Sequence, residues 1–392
     1  MFKLTVFKVF LILALLPTIF GVVYLSLFEG KMSFGIEQQI SQEIKNTVLI
    51  SYIFSWSLII LFLSFSKSLV RYQYELRYSN SHINDFKNYK ILVVFLFFSV
   101  IFFELIRLPS IPLLVLITDG ISAGSIARGE VIEFQIENSI PILGYFLVFF
   151  PSFAIVWLYY LKLVDQISKP FFWALAIIYL SYYILFLGKG FFITPLLLCF
   201  LIKSIVFNKS ISFSAPFILI AITLPLFLSV TENSIIDAAN AFVNRAFVGQ
   251  SEGMYWIREI YSEPSVKATI YGFPIGYLFG IVGFDPSIEV IKILFGDVDG
   301  WVNANSFFIG QGWVMLGDAV ILIGPLLIIA NIALIKLSFP LFRYSRDSRF
   351  LHIIAFYVII TLPVNTNFAL ILYLKPFLSF FINAIISEWL IF

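Results

Sequence analysis

Single cations in apolar surroundings are the residues of this chain most suited to binding an anionic ligand. The stretch LFLGKGFFITPLLL, residues 185–198, places Lys189 between two glycines inside an apolar run. Glycine permits unusual backbone angles and lets a bulky group approach the chain. Lys189 is therefore a candidate phosphate ligand, although lysines near helix ends also extend toward lipid headgroups.

Three arginines lie in segments whose other charges are mainly acidic: Arg128, Arg245 and Arg258. Arginine forms two-pronged hydrogen bonds with phosphate oxygens and stays charged at physiological pH. The pattern fits a site for a membrane-embedded pyrophosphate. The alternative is a surface salt bridge with a neighbour, such as Arg128 with Glu130 or Arg258 with Glu259.

Carboxylates and aromatic side chains accompany these cations. Five carboxylates are candidate general bases, with a surface or capping role as the alternative for each: Glu133, Glu137, Asp237, Glu252 and Asp318. Glu252 is favoured because it lies between Arg245 and Arg258 in the sequence. Flat rings could stack on sugars or form a membrane interface belt. The rings of this region are Tyr255, Trp256, Tyr261, Tyr271, Tyr277, Trp301 and Trp313.

The elements that must position these residues are transmembrane helices. The chain is 60% hydrophobic and only 12% charged, and its long apolar runs lack the alternation of barrel strands. Since a helix crosses a bilayer in about 20 apolar residues, the sequence predicts an all-α polytopic integral membrane protein with about ten spans. They lie near residues 9–28, 47–65, 91–108, 142–164, 171–187, 191–207, 212–230, 317–336, 350–364 and 368–386.

The basic residues of the short loops predict the orientation. They fall on one face if the spans alternate, so that face, with both termini, is cytoplasmic. Both histidines, His82 and His352, lie on that side. Three units are predicted: a seven-helix bundle (1–230), a large extracytoplasmic segment with amphipathic helices (231–316), and the last three helices (317–392). Glu104 and Arg107 are predicted to form a structural ion pair in the third span.

Other features restrict the function classes. The net charge of +2 implies no nucleic-acid partner, and the single cysteine, Cys199, allows no intramolecular disulfide. The N-terminal apolar run lacks a convincing cleavage site and is read as a retained span. No nucleotide-binding, metal-binding or serine-nucleophile motif is present, so no cofactor and no metal is predicted.

At this point the chain resembles the O-antigen polymerases, the Wzy-type oligosaccharide repeat-unit polymerases. LFLGKGFF is similar to the family's turn of a basic residue among small residues, usually an arginine. A long outer segment with arginines precedes the last helices. NANSFFIGQGWVMLGDAVILIGPLL resembles the family's later segment, where Asn305, Gly310, Trp313 and Gly317 fit the pattern and Gln311 stands where an acid is common.

The resemblance implies a metal-independent glycosyl transfer at the periplasmic face of the bacterial inner membrane. A growing glycan would move from undecaprenyl diphosphate onto a new lipid-linked repeat unit. Lys189, Arg128, Arg245 and Arg258 would bind the pyrophosphate, with Arg245 and Arg258 stabilising the leaving group and Glu252 accepting the hydroxyl proton. Tyr255, Trp256, Trp313 and Asn305 would contact sugars. A chain-length regulator and a flippase are the implied protein partners.

Three other protein classes are alternatives to the polymerase. A lipid-linked oligosaccharide flippase binds the same substrate, but it predicts evenly short loops, which the segment 231–316 fits poorly. An O-antigen ligase predicts a histidine in the large outer segment, where none occurs. A membrane O-acyltransferase, which relies on histidine chemistry, fits less well still.

Overall fold

Helices form along the apolar runs because backbone groups in an apolar environment must be satisfied within their own segment. The computed structural model describes residues 6–27, 40–65, 86–137, 143–163, 165–186, 198–199, 202, 244, 247–271, 273, 283–296, 304–342, 348–365 and 367–391. All regular secondary structure in these ranges is helical. The α-helices are α1 Val6–Leu27, α2 Gln42–Phe65, α3 Phe86–Arg107, α4 Pro112–Asp119, α5 Ile121–Glu137, α6 Leu143–Leu163, α7 Lys169–Leu185, α8 Glu252–Ile260, α9 Val266–Ile270, α10 Pro286–Phe295, α11 Phe308–Leu316, α12 Val320–Ser338, α13 Ser348–Ile360, α14 Phe368–Leu372 and α15 Lys375–Ile391.

The surface of this helical assembly is apolar. Large side chains are mostly exposed along several helices, among them Ile50, Phe102, Ile177 and Leu337. By length and composition, the described residues contain two helical runs able to cross a membrane, Gln42–Ser64 and Phe308–Phe342. A third results if Lys90–Arg107 and Pro112–Asp119, which meet at a 47° bend, count as one span. Apolar helices whose large hydrophobic side chains are exposed indicate a membrane-associated protein.

The run Phe308–Phe342 is a hairpin of two helices, although it contains no unstructured residue. A Cβ atom built on Gly312 would lie 2.4 Å from Val320 Cγ2, and one on Gly324 would lie 2.3 Å from the Phe308 ring. In a straight helix Gly312 and Val320 would be separated by about 12 Å along the axis, and Phe308 and Gly324 by about 24 Å. The chain therefore reverses at Gly317, whose φ is +63°.

The hairpin changes which residues can cross a bilayer. α12 and the 3₁₀ turn that follows it, Phe339–Phe342, rise roughly 35 Å and suffice alone. α11 instead returns beside α12, and its residues Phe308–Met315 are all buried. The boundary predicted at residue 316 falls at the turn of this hairpin, so α11 packs as part of the helical core.

Glycine allows the close approach of the segment before the hairpin. A Cβ on Gly253 of α8 would lie 2.5 Å from the backbone oxygen of Asn305, and one on Gly310 of α11 would lie 3.0 Å from Met254 Cα. The Gly253 amide donates to the same Asn305 oxygen at 3.1 Å. Small residues at such crossings let helix backbones touch. α8 is thereby held against α11.

The same segment is fixed to α1. Ser251 Oγ donates to the Thr18 carbonyl at 3.0 Å, and Tyr255 Oη donates to the Val22 carbonyl at 3.2 Å. Tyr255 Oη also lies 2.9 Å from Ser26 Oγ. These bonds join residues far apart in sequence. They place α8 inside the helical assembly, next to the first helix.

Of the predicted spans 191–207 and 212–230 the structure describes only residues 198–199 and 202, and helices lie at each of the other eight predicted spans. The predicted span 368–386 is broken into α14 and α15 at Leu374, whose φ is +54°. Asn331 of α12 compensates the break, since its Nδ2 donates to the Ile371 carbonyl at 3.2 Å and its Oδ1 accepts from the Phe377 amide at 3.3 Å. A polar side chain within an apolar helix thus satisfies backbone groups that the break leaves free.

Two predicted placements of charge can be compared with the structure. Arg107 lies 4.0 Å from Glu104, as the spacing predicts. Lys90 Nζ donates to the Gln166 carbonyl at 2.6 Å. The start of α3 and the turn between α6 and α7 therefore lie at the same end of the assembly. The sequence predicts that both are cytoplasmic.

Candidate functional site

Three polar side chains meet where α8 approaches the turn of the α11–α12 hairpin. Arg258 lies in the last turn of α8, Trp313 lies on α11, and Asp318 lies in the 3₁₀ turn Gly317–Ala319. The Ser265 amide donates to the Val314 carbonyl at 2.7 Å, and Thr269 Oγ1 donates to the Met315 carbonyl at 2.7 Å. These two bonds satisfy carbonyls at the end of α11 and hold the α8–α9 connection against it.

The three side chains form a closed triangle. Arg258 Nη2 donates to Asp318 Oδ1 at 3.1 Å, and Trp313 Nε1 donates to the same oxygen at 3.1 Å. The Arg258 guanidinium carbon lies 3.7 Å from the centroid of the Trp313 ring. A guanidinium stacks on an indole face because the ring quadrupole attracts the cation. Arg258 therefore has a fixed orientation. The cluster of Arg258, Trp313 and Asp318 is called here the Arg258 triangle.

In the sequence, the alternative to ligand binding by Arg258 is a salt bridge with its neighbour Glu259. Arg258 does form an ion pair, but its partner is Asp318, sixty residues away. Glu259 is exposed, and its Oε2 lies 3.5 Å from the Ser41 amide. Successive residues of a helix point about 100° apart, which explains why the sequence neighbour does not pair.

Arg258 retains a binding capacity that its neighbours do not use. Its Nη1 atom is buried and has no hydrogen-bond partner among the described residues. Burial lowers the pKa of Arg258 from its usual value, and the charge of Asp318 opposes that shift. An arginine stays protonated under such conditions. The site thus holds an oriented cation whose Nη1 donor is covered but unused, and a guanidinium is the group that recognises phosphate oxygens.

Glu252, the favoured candidate base, is not at the triangle. It is fully buried in the first turn of α8, and Trp256 Nε1 donates to its Oε1 at 3.3 Å. Glu252 and Arg258 are six residues apart on the helix, so they lie about 9 Å apart along the axis and point about 120° away from each other. The carboxylate beside Arg258 is Asp318.

The predicted sugar-contacting residues divide into two groups. Tyr255 and Trp256 lie in the core, and their polar atoms bond to α1 and to Glu252, so their predicted sugar contact would require the core to open. Trp313 is part of the Arg258 triangle. Asn305 is half-buried, and its backbone oxygen accepts from Gly253. The structure therefore brings only Trp313 of this set to Arg258.

The structure describes only some of the other predicted site residues. Arg128 is exposed on α5, which packs against α4. Lys189, Arg245 and Asp237 lie outside the described residues. Glu133 and Glu137 fall on α5, and the structure describes their backbone only. The predictions for these residues stay predictions.

A second polar cluster lies in the core, where the start of α10 meets α11. Asp285 precedes α10 and accepts on Oδ1 from the Ser287 amide at 2.9 Å, from Ser287 Oγ at 2.7 Å and from Gln311 Nε2 at 2.6 Å. Gln311 Oε1 accepts from the Phe368 amide at 2.5 Å. Burial raises the pKa of Tyr271, which also bonds to Asp285. Gln311 therefore joins the segment 285–287 to α11 and α14.

This network gives a physical reason for a glutamine at position 311. Replacement of Gln311 with glutamate would place two carboxylates in contact inside the core and remove the donor to Asp285. We expect Gln311→Glu to lower the free energy of unfolding by about 2–3 kcal/mol. The midpoint of thermal unfolding of the detergent-purified protein measures the change.

The matched control for Gln311→Glu is the double variant Asp285→Asn/Gln311→Glu. It leaves one carboxylate in the cluster and restores a donor beside it, so the double variant should regain at least half of the lost stability. An unfolding midpoint of Gln311→Glu equal to that of the unmodified protein would show that the two side chains do not share this environment.

The sequence alone does not identify Asp285 and Asn331 as buried polar residues that join helices. Asp285 could have been found, because Asp followed by Pro286 is a helix-start signature and its Oδ1 indeed caps α10. Asn331 carries no such signal, because its partners lie on α14 and α15. Among the described residues, no group of three His, Cys, Asp or Glu side chains is arranged to hold a metal ion.

Comparison of the chain with protein-family models, with curated proteins and with solved structures finds no match.

Proposed function

We propose that this protein is a lipid-linked glycosyltransferase of the O-antigen polymerase type. It would move a growing glycan from undecaprenyl diphosphate onto a new lipid-linked repeat unit at the periplasmic face of the bacterial inner membrane. The observation that carries the proposal is Arg258, an oriented guanidinium with a buried donor that no described residue uses. The remaining support is the resemblance of the segment 303–327 and of the turn around Lys189 to that family.

The position of Arg258 suits a substrate that is half lipid. Leu322 and Leu326, one and two turns below Asp318 on α12, are 51% and 43% exposed and form part of the apolar surface. The Arg258 triangle therefore lies at the edge of the surface that faces lipid. A polyprenyl chain could occupy the apolar side while its diphosphate meets the cation. Such a diphosphate is a good leaving group when cations neutralise its developing charge.

The reaction needs a cation for the leaving group and a base for the acceptor hydroxyl. Arg258 supplies the first requirement, and Lys189 and Arg245 are the predicted additional cations. Direct displacement at the anomeric carbon, without a covalent intermediate, would invert its configuration. We propose that the reaction proceeds without a metal ion, because the cations of the protein take the role of the Lewis acid.

A reconstitution experiment tests the proposal directly. Purified protein in lipid discs is given synthetic undecaprenyl-diphosphate-linked repeat units and no other enzyme. A polymerase produces a ladder of products that differ by one repeat unit. A flippase leaves the repeat units unchanged in discs, and that result would remove the polymerase proposal.

A further inference from the structure

Two contacts of very different accessibility hold Arg258. Trp313, under the guanidinium, is only 7% exposed and lies within the packed helix α11. The side chain of Asp318, on the other side, is 74% exposed. Ion pairs with one such exposed member change an equilibrium constant by only about twofold to fivefold. The Trp313 contact is fixed, whereas the Asp318 contact is easily exchanged.

A phosphate group would compete with Asp318 for the same cation. Arginine binds phosphate oxygens through two parallel, charge-assisted hydrogen bonds, which are stronger than a single exposed contact. Arg258 now uses Nη2 for Asp318 and leaves Nη1 without a partner among the described residues. Release of Asp318 frees Nη2 for a phosphate, and the buried Nη1 becomes the second donor to it once the guanidinium is uncovered. The stacking on Trp313 keeps the guanidinium in place during that exchange.

We infer that Asp318 is the general base of the proposed reaction and that binding of the donor diphosphate to Arg258 releases it. This inference rests on the proposed function. Before binding, Arg258 holds the carboxylate. After binding, the diphosphate holds Arg258, and Asp318 is free beside the reacting groups.

The proton and electron balance is simple. The acceptor hydroxyl oxygen forms a bond with the anomeric carbon of the donor glycan, and its proton passes to the Asp318 carboxylate. The bond from that carbon to the diphosphate oxygen breaks, and the electron pair leaves with undecaprenyl diphosphate. Arg258 stabilises the charge that develops on this leaving group. No other reactant is required.

The local geometry suits this role. Trp313 Nε1 and Arg258 both bond to Oδ1, so the second carboxylate oxygen is not engaged by either. When Arg258 turns to phosphate, the Trp313 bond still orients the carboxylate. Gly317, with its positive φ, reverses the chain immediately before Asp318, and the position of its absent Cβ lies 3.1 Å from Pro264 Cγ. The Asp318 side chain, which follows this turn, is exposed.

The two acidic side chains of α8 are less suited to act as the general base. Glu252 is fully buried and bonded to Trp256. Glu259 is exposed, but its described contact is the Ser41 amide. A general base must reach the hydroxyl that it deprotonates. Asp318 combines an exposed carboxylate with direct contact to the proposed phosphate ligand, Arg258.

The exchange is tested first without turnover. Inorganic pyrophosphate is titrated into the protein in lipid discs, and tryptophan fluorescence is recorded. Trp313→Phe identifies the part of the signal that comes from Trp313. Asp318→Asn removes the competing charge and should tighten pyrophosphate binding about twofold to fivefold. Weaker binding by Asp318→Asn would show that Asp318 only holds Arg258 in position, and the inference would fail.

The second measurement separates catalysis from binding. With synthetic lipid-linked repeat units, Asp318→Asn should lower kcat at least about 100-fold while KM for the donor stays equal or falls. Asp318→Ala leaves space for a small carboxylate, so added formate should restore part of the rate. A purely structural loss would not respond to formate. An undiminished kcat in Asp318→Asn would overturn the assignment.

The inference and the proposed function fail in different ways. If the unmodified protein forms no ladder, both fall together. If it forms a ladder and Asp318→Asn forms the same ladder, only the role of Asp318 is lost. The fluorescence titration then shows whether Arg258 still binds pyrophosphate.

Discussion

Replacement of Arg258 with alanine should reduce the rate of polymer formation at least about 100-fold, because it removes the cation that would stabilise the departing diphosphate. The variant should still fold and insert. Its ion-pair partner, Asp318, is mostly exposed, so no buried charge is left without a partner. The rate of ladder formation in lipid discs measures the effect, and the unfolding midpoint shows that the protein is intact.

Two further variants make the Arg258 result specific. Arg258→Lys keeps the charge but loses the two-pronged hydrogen bonds and the planar stacking on Trp313, so we expect an intermediate rate. Lys267→Ala removes an exposed positive charge from the nearby helix α9 and should leave the rate unchanged. Equal losses in Lys267→Ala and Arg258→Ala would indicate a general effect of charge. A full ladder from Arg258→Ala would remove this residue from the mechanism.

Replacement of Gly253 with alanine should destabilise the protein at the crossing of α8 and α11. The new Cβ would lie 2.5 Å and 2.8 Å from the backbone oxygens of Asn305 and Ala304. Backbone atoms cannot move aside as a flexible side chain can, so α8 must shift away from α11. Overpacking of this kind costs about 1–3 kcal/mol and here also strains the Gly253–Asn305 hydrogen bond. Fluorescence-detected thermal unfolding in detergent measures the loss.

The Gly253 substitution also tests how the site is built. Because α8 carries Arg258, a displaced α8 should weaken pyrophosphate binding although no ligand atom meets residue 253. Gly296→Ala is the control. Gly296 has a φ of +76° and no atom within 4 Å of its Cβ position, so its substitution adds backbone strain of about 1–3 kcal/mol but no steric clash. Pyrophosphate binding that is unchanged in Gly253→Ala would contradict the dependence of the site on this crossing.

The same glycine shows what sequence reasoning misses. Nothing in EGMYWIREI distinguishes Gly253 from a tolerated helix glycine, since the reason for it is a backbone oxygen fifty residues away. Arg258 was identified as a candidate ligand from its charge and surroundings alone. The ion pair between Arg258 and Asp318 is not evident from the sequence, because the chain reversal at Gly317 brings the two residues together.

Composition and the length of apolar runs by themselves determined that this chain forms apolar helices of a membrane-associated protein. They also placed most helices within a few residues, because hydrophobicity and helical hydrogen bonding are local properties. Only the tertiary structure decided that residues 308–342 form a hairpin, that α8 packs between α1 and α11, and that Asp318 rather than Glu252 faces Arg258. Such choices depend on which helix faces meet, and that depends on packing between residues distant in the sequence.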